Sequence, residues 1–299
     1  MTMAVAMKKQ DSADEVSSRS SSRLAFVRHL NRQLVAGMSL VSLVVLVALI
    51  VPAVWPYGPT QIVPADALMS PNWHHLFGSD DLGRDVFVRM ADGFRISLAV
   101  AVGSILLASV VGVPLGLLAG YAGGLVDGII MRPLDVFMAF PAILLAIVVT
   151  AVLGPSTGTV TLAIGLVYMP VLARVMRAST LVERRELYVH AARARGASHL
   201  RVLLTHVLPN AIGPVIVQAS ILMGIAILVE AALSFVGLGV RPPTPSLGLM
   251  LSDGQNFLSE APWTMIAPGA GIMLLVLSFN LIGDGFRSWL DPKGRAGPR

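Results

Sequence analysis

Four groups of residues in this chain have types and spacings suited to chemistry. His74 and His75 are adjacent, but neighbours in sequence point apart on a helix or strand. No third ligand stands nearby, so no metal site is expected. The stretch "HLFGSDDLGRDVFVRM" (75–90) sets Asp80, Asp81, Arg84 and Asp85 around Gly83, a composition that closes a turn with ion pairs and offers a second role in docking an external protein. Glu230 lies inside the apolar run "ILVEAALSF", where an unpaired carboxylate costs on the order of a few kcal/mol. It is either a pathway residue that meets a substrate amine or one end of a helix–helix hydrogen bond. The fourth group is a basic island, "YVHAARARGASHLRVLLTHVLPN" (Tyr188 to Asn210), carrying Arg193, Arg195 and Arg201 and broken at Gly196. No Ser/His pair, Asp pair or metal constellation stands at membrane depth, so no catalytic residue is assigned. The chain has no cysteine and no G-x-x-x-x-G-K-[ST] phosphate loop, so it is expected to bind no cofactor and no nucleotide of its own.

The elements that position these groups follow from composition. Of 299 residues, 55% are hydrophobic and 13% charged, about half the charge of a soluble domain. Mean hydropathy is +0.76. Apolar runs fall at 34–54, 96–120, 134–153, 159–176, 211–238 and 264–283, each near the length that crosses about 30 Å of hydrocarbon. The reading is an all-α polytopic membrane protein with six transmembrane helices, its basic excess serving topology rather than nucleic acid. Of the 22 Lys and Arg residues, 18 fall on the side that holds both termini and the basic island. That side is therefore cytoplasmic. The organisation expected is a cytoplasmic tail (1–33), a first span (34–54), an extracytoplasmic loop (55–95), a core (96–286) with a cytoplasmic loop at 177–209, and a second tail (287–299). The first apolar run is too long for a cleaved leader and lacks a clean small-x-small site.

Within the island, Ala191, Ala192, Ala194 and Ala197 favour helix and Gly196 interrupts it. Leu200, Leu203, Leu204 and Val207 then recur at i, i+3, i+4 and i+7, which predicts a short amphipathic helix with Arg201 and Thr205 on another face. Two readings stand: a basic connector on the lipid surface, or a docking element for a cytoplasmic partner.

The island resembles the coupling-loop motif of binding-protein-dependent ABC importer permeases, with Ala191, Ala192, Gly196, Leu208 and Pro209 in register and His190 where that pattern has Glu. "HLFGSDDLGRDVFVRM", "DGIIMRPLDVFMAFPAILLAIV" (127–148), "EAALSFVGLGVRPPTPSLGLML" (230–251) and "APWTMIAPG" with "FNLIGDGFRSWLDPK" (261–293) are similar to signatures of the dipeptide/oligopeptide/nickel permease family, C-type subunit. The resemblance spans about residues 30 to 293. It implies a type I ABC importer permease fold in a bacterial inner membrane, with a B-type permease, two cytoplasmic ATPase domains that use the ATP, and an extracytoplasmic solute-binding protein as partners. It implies ATPase coupling by Tyr188, His190, Ala191, Ala192, Arg193, Gly196, Ala197, Leu208 and Pro209. It also favours the helix–helix reading of Glu230, which the family shares across different solutes. An ion-driven secondary transporter or a membrane enzyme would call for charged relays or a catalytic constellation at membrane depth. Glu230 is the one candidate for such a role.

Overall fold

The computed structural model describes residues 32–290; the tail sequences beyond, with their basic clusters, lie outside the described residues. It is built of helices: α1 (Arg32–Val54), α2 (Val86–Ala122), α3 (Gly124–Met138), α4 (Ala142–Leu153), α5 (Thr157–Glu183), α6 (Leu187–Ala194), α7 (His199–Val202), α8 (Leu208–Ala211), α9 (Gly213–Phe235), α10 (Leu247–Gly254) and α11 (Trp263–Leu290). The five long ones, α1, α2, α5, α9 and α11, are each long and apolar enough to cross a membrane. α3 and α4, which meet at 88°, are apolar enough together to make a sixth when the bent pair is counted as one span.

That bend is the main departure from the sequence reading, which draws one continuous span over 134–153. Pro141 has no N–H to give, and its ring disfavours helical geometry at Phe140, so the ladder stops there. α4 alone has 12 residues, or about 18 Å, which falls short of the hydrocarbon thickness. Other boundaries shift as well. α2 starts at Val86, so the polar loop ends ten residues earlier than 95; Asp85 caps the helix by accepting the Val88 N–H, a signal that apolar periodicity does not register. α5 runs to Glu183, shortening the cytoplasmic loop, and α11 runs to Leu290.

α2 and α5 pack along their lengths, and small residues are the reason. Gly112, Gly116 and Gly120 form one stripe of α2. A Cβ at Gly112 would sit 2.6 Å from the Met169 carbonyl oxygen, one at Gly116 would overlap that of Ala173, and one at Gly120 would sit 2.7 Å from Thr180 Cβ. In lipid no solvent drives helices together, so such close backbone approach supplies the association. Gly37 of α1 against Ser278 and Ile282 of α11 repeats the device.

Candidate functional site

The basic island folds as a compact hook between α5 and α9. Its first element, α6, has three faces. Val189 and Ala192 are buried in the main apolar core. His190 and Arg193, one turn apart, line a basic pocket. Leu187, Ala191 and Ala194, at i, i+4 and i+7, point away from the chain, and Leu187 is 84% exposed. This leaves an apolar stripe turned outward on an otherwise basic segment.

α6 ends where the sequence breaks. The Gly196 N–H bonds to the Arg193 carbonyl (2.9 Å) and the Ala197 N–H reaches back to Ala192 (3.2 Å). This is a Schellman cap, and it requires a left-handed residue, which Gly196 supplies at φ +83°. No atom lies within 4 Å of where its Cβ would stand, so the glycine answers to backbone conformation and not to crowding within the chain. Ser198 then caps α7 through the Arg201 N–H.

The expected amphipathic helix takes a different form. Leu203–Val207 is a π turn between α7 and α8. Its wider winding moves the register, so Val202, Leu203, Val207 and Ala211 are buried while Leu200 and Leu204 are exposed. Leu208 and Pro209 open α8, Leu208 packing on the core and Pro209 facing out. The two ends of the hook are tied together: the Tyr188 hydroxyl donates to Glu183, and Asn210 Nδ2 donates to Tyr188 Oη (3.1 Å) and to the His206 carbonyl (2.7 Å). Burial and the Glu183 carboxylate push the Tyr188 phenol up to about 12, so it stays a donor. Arg184 donates to the Gly120 and Tyr121 carbonyls, fixing the start of the hook to the end of α2. Sequence reading names Tyr188 but not Glu183, Asn210 or Arg184, whose partners are distant in sequence or carry no periodic signal.

At the opposite end of α2 the acidic run forms a closed cluster. Asp80 accepts the Leu82 and Arg84 N–H groups and Arg84 Nε (2.6 Å), and Arg89 Nε lies 3.3 Å away. Gly83 turns at φ +72°, where a Cβ would overlap the Val63 carbonyl. Asp81 and Asp253 flank Arg84 at 3.6 and 3.7 Å, and burial raises the Asp253 carboxyl against the pull of Arg89 and Arg84. His75 is buried, with Nδ1 2.8 Å from Asp85 and Nε2 3.3 Å from Asp66, while His74 faces outward. The two histidines do point apart, and His75 is a hydrogen-bonded clamp between carboxylates.

Glu230 is 0% exposed. Ser97 of α2 donates to one carboxylate oxygen and Ser234 of α9 to the other, both at 2.8 Å. Both carboxylate oxygens are thus occupied inside the packing of α2 against α9. Ser97 gives no sequence signal, because one serine in a long apolar run is unremarkable until its partner is known.

Comparison with known proteins adds to this geometry. Residues 112–296 match the family model described as binding-protein-dependent transport system inner membrane component. The chain is 43% identical over 263 residues to the dipeptide transport system permease protein DppC of Alkalihalophilus pseudofirmus, covering 88% of this chain and 86% of that one. It is 40% identical over 269 residues to the protein of the same name in Haemophilus influenzae (88% and 91%), and 41% identical over 274 residues to the glutathione transport system permease protein GsiD of Pectobacterium atrosepticum (90% of each).

Proposed function

The chain belongs to the binding-protein-dependent transport system inner membrane component family, and on that premise we propose that it lines half the pathway of an importer for di- and oligopeptides. It is a multi-pass membrane transport subunit, and it performs no chemistry of its own. A B-type permease completes the pathway, two cytoplasmic ATPase domains hydrolyse ATP, and an extracytoplasmic binding protein delivers solute. Both termini and the hook at 184–212 face the cytoplasm, a placement that the basic excess supports. The observation that carries the reading is the hook itself. An outward apolar stripe (Leu187, Ala191, Ala194) ends in a rigid glycine cap and is joined to α5 on one side and α9 on the other. Such an element passes a partner's displacement into two spanning helices at once, and ATP-driven closure of that partner would bias the bundle between two packings.

The solute class follows relatives named for dipeptides and for glutathione, itself a short peptide. The test is uptake of a labelled dipeptide into cells lacking this chain and into cells with it restored. Restoration of uptake that unlabelled peptides suppress supports the proposal. Unchanged dipeptide uptake alongside lost uptake of an unrelated solute would refute the peptide assignment.

A further inference from the structure

Resting on the cytoplasmic placement of the hook, we propose that this chain binds the phosphate headgroup of an anionic phospholipid from the inner leaflet in a basic pocket beside α6. The pocket is lined by Tyr121, Arg184, Arg185, His190, Arg193 and His199, with a volume of about 620 Å3. Three guanidiniums and two imidazoles converge there, and no carboxylate lines it. Like charges held together without an acid repel one another, and an anion relieves that repulsion. Arg184 is held in place by the carbonyls that end α2, and Arg193 Nη2 rests 3.2 Å from His199 Nδ1. Arg185 makes no side-chain hydrogen bond or ion pair among the described residues and leaves its full fork of donors for a phosphate.

Position favours a lipid over a soluble phosphate. Tyr121 closes the spanning helix α2, and Arg184 and Arg185 follow directly on the spanning helix α5, so the pocket lies at the cytoplasmic ends of two spanning helices, the side on which an inner-leaflet headgroup would lie. Exposed apolar side chains stand one turn further into the bilayer on the same helices: Leu118 precedes Tyr121 by three residues and Val182 precedes Arg185 by three, and Leu125 at the start of α3 is 80% exposed. A phosphate held by the arginines would have its acyl chains against these residues. Basic pockets between spanning helices on the cytoplasmic side are suited to such headgroups.

The test uses the full-length chain purified in detergent with its accompanying subunits and titrated with dioleoylphosphatidylglycerol, adducts being counted by native mass spectrometry. Dioleoylphosphatidylcholine and glycerol-1-phosphate form separate arms. Phosphatidylglycerol is expected to bind ahead of phosphatidylcholine, with affinity falling about fivefold for Arg185→Gln and about 25-fold for Arg185→Gln with Arg193→Gln. Arg132→Gln removes the same charge outside the pocket and is expected to change nothing. Equal binding by wild type and the double variant would overturn the proposal, as would displacement of the lipid by glycerol-1-phosphate at matching concentration. ATPase co-purification is read from the same samples. Lipid binding unchanged by the variants while ATPase recovery falls would assign the pocket to the protein interface and overturn the lipid reading alone. Loss of lipid binding with ATPase recovery intact supports it and leaves the coupling reading standing.

Discussion

Substituting Gly196 tests the hook at its most constrained point. At φ +83° a side chain meets its own backbone, and the left-handed region costs a residue with a Cβ about 1–2 kcal/mol. Open space around the position means that no clash adds to this figure. Alanine is therefore expected to open the two cap hydrogen bonds, Gly196 to Arg193 and Ala197 to Ala192, about 5- to 30-fold more often. Valine, β-branched, is expected to exceed that, while asparagine and aspartate, which tolerate the left-handed region, fall below it. Hydrogen exchange at residues 196–197, followed by mass spectrometry on the purified protein, measures the opening directly. An alanine variant that exchanges like wild type, or an asparagine variant as loose as valine, would refute the backbone argument. The same variants separate shape from space when read by ATPase co-purification. Gly196→Asp keeps much of the turn yet sets a charged side chain on the docking surface, and it is expected to abolish ATPase recovery and transport while membrane insertion stays normal. Full recovery with Gly196→Asp would refute docking at this turn.

Other outcomes follow from the packing and the charge pattern. Gly116→Leu is expected to part α2 from α5 by colliding with the Ala173 backbone, lowering yield and thermal stability in detergent, whereas Gly128→Leu, with no atom near its Cβ, leaves both unchanged. Glu230→Gln keeps a partner for Ser97 and Ser234 and is expected to retain transport; Glu230→Ala orphans both hydroxyls and costs about 1 kcal/mol of thermal stability. Tyr188→Phe deletes the link to Glu183 and Asn210 and is expected to raise hydrogen exchange in residues 184–190 with little change in expression. A membrane-impermeant thiol reagent applied to intact cells is expected to label Ser70→Cys and spare Arg195→Cys, the chain having no cysteine of its own; labelling of the second would reverse the topology.

Periodicity and composition bring the spanning helices and the basic hook into view because lipid imposes one strong rule, a run of apolar residues about 30 Å long. They misplace features set by single hydrogen bonds. The start of α2 is fixed by Asp85 capping Val88, the break at Phe140–Pro141 by a missing N–H, and the π turn at Leu203–Val207 by a change of ladder that leaves no mark on hydropathy. At the site, Gly196 and the alanines of α6 are legible because backbone conformation dictates residue type. Arg184, Asn210 and Ser97 are not, because each acts through a partner that only the fold brings near.

One geometric consequence attaches to α2. Its 37 residues make a rod of about 55 Å. One end is anchored in the carboxylate–guanidinium cluster through Asp85 and Arg89, and the other is gripped by Arg184 at the root of the hook. Its glycine stripe packs it closely against α5 along the way. A tilt of about 5° pivoting at the hook would carry the far end about 5 Å sideways, the width of one strand of solute. Under the coupling proposed above, small rotations on the ATP side would become displacements of that size on the other, with leverage in place of any chemical relay through the membrane.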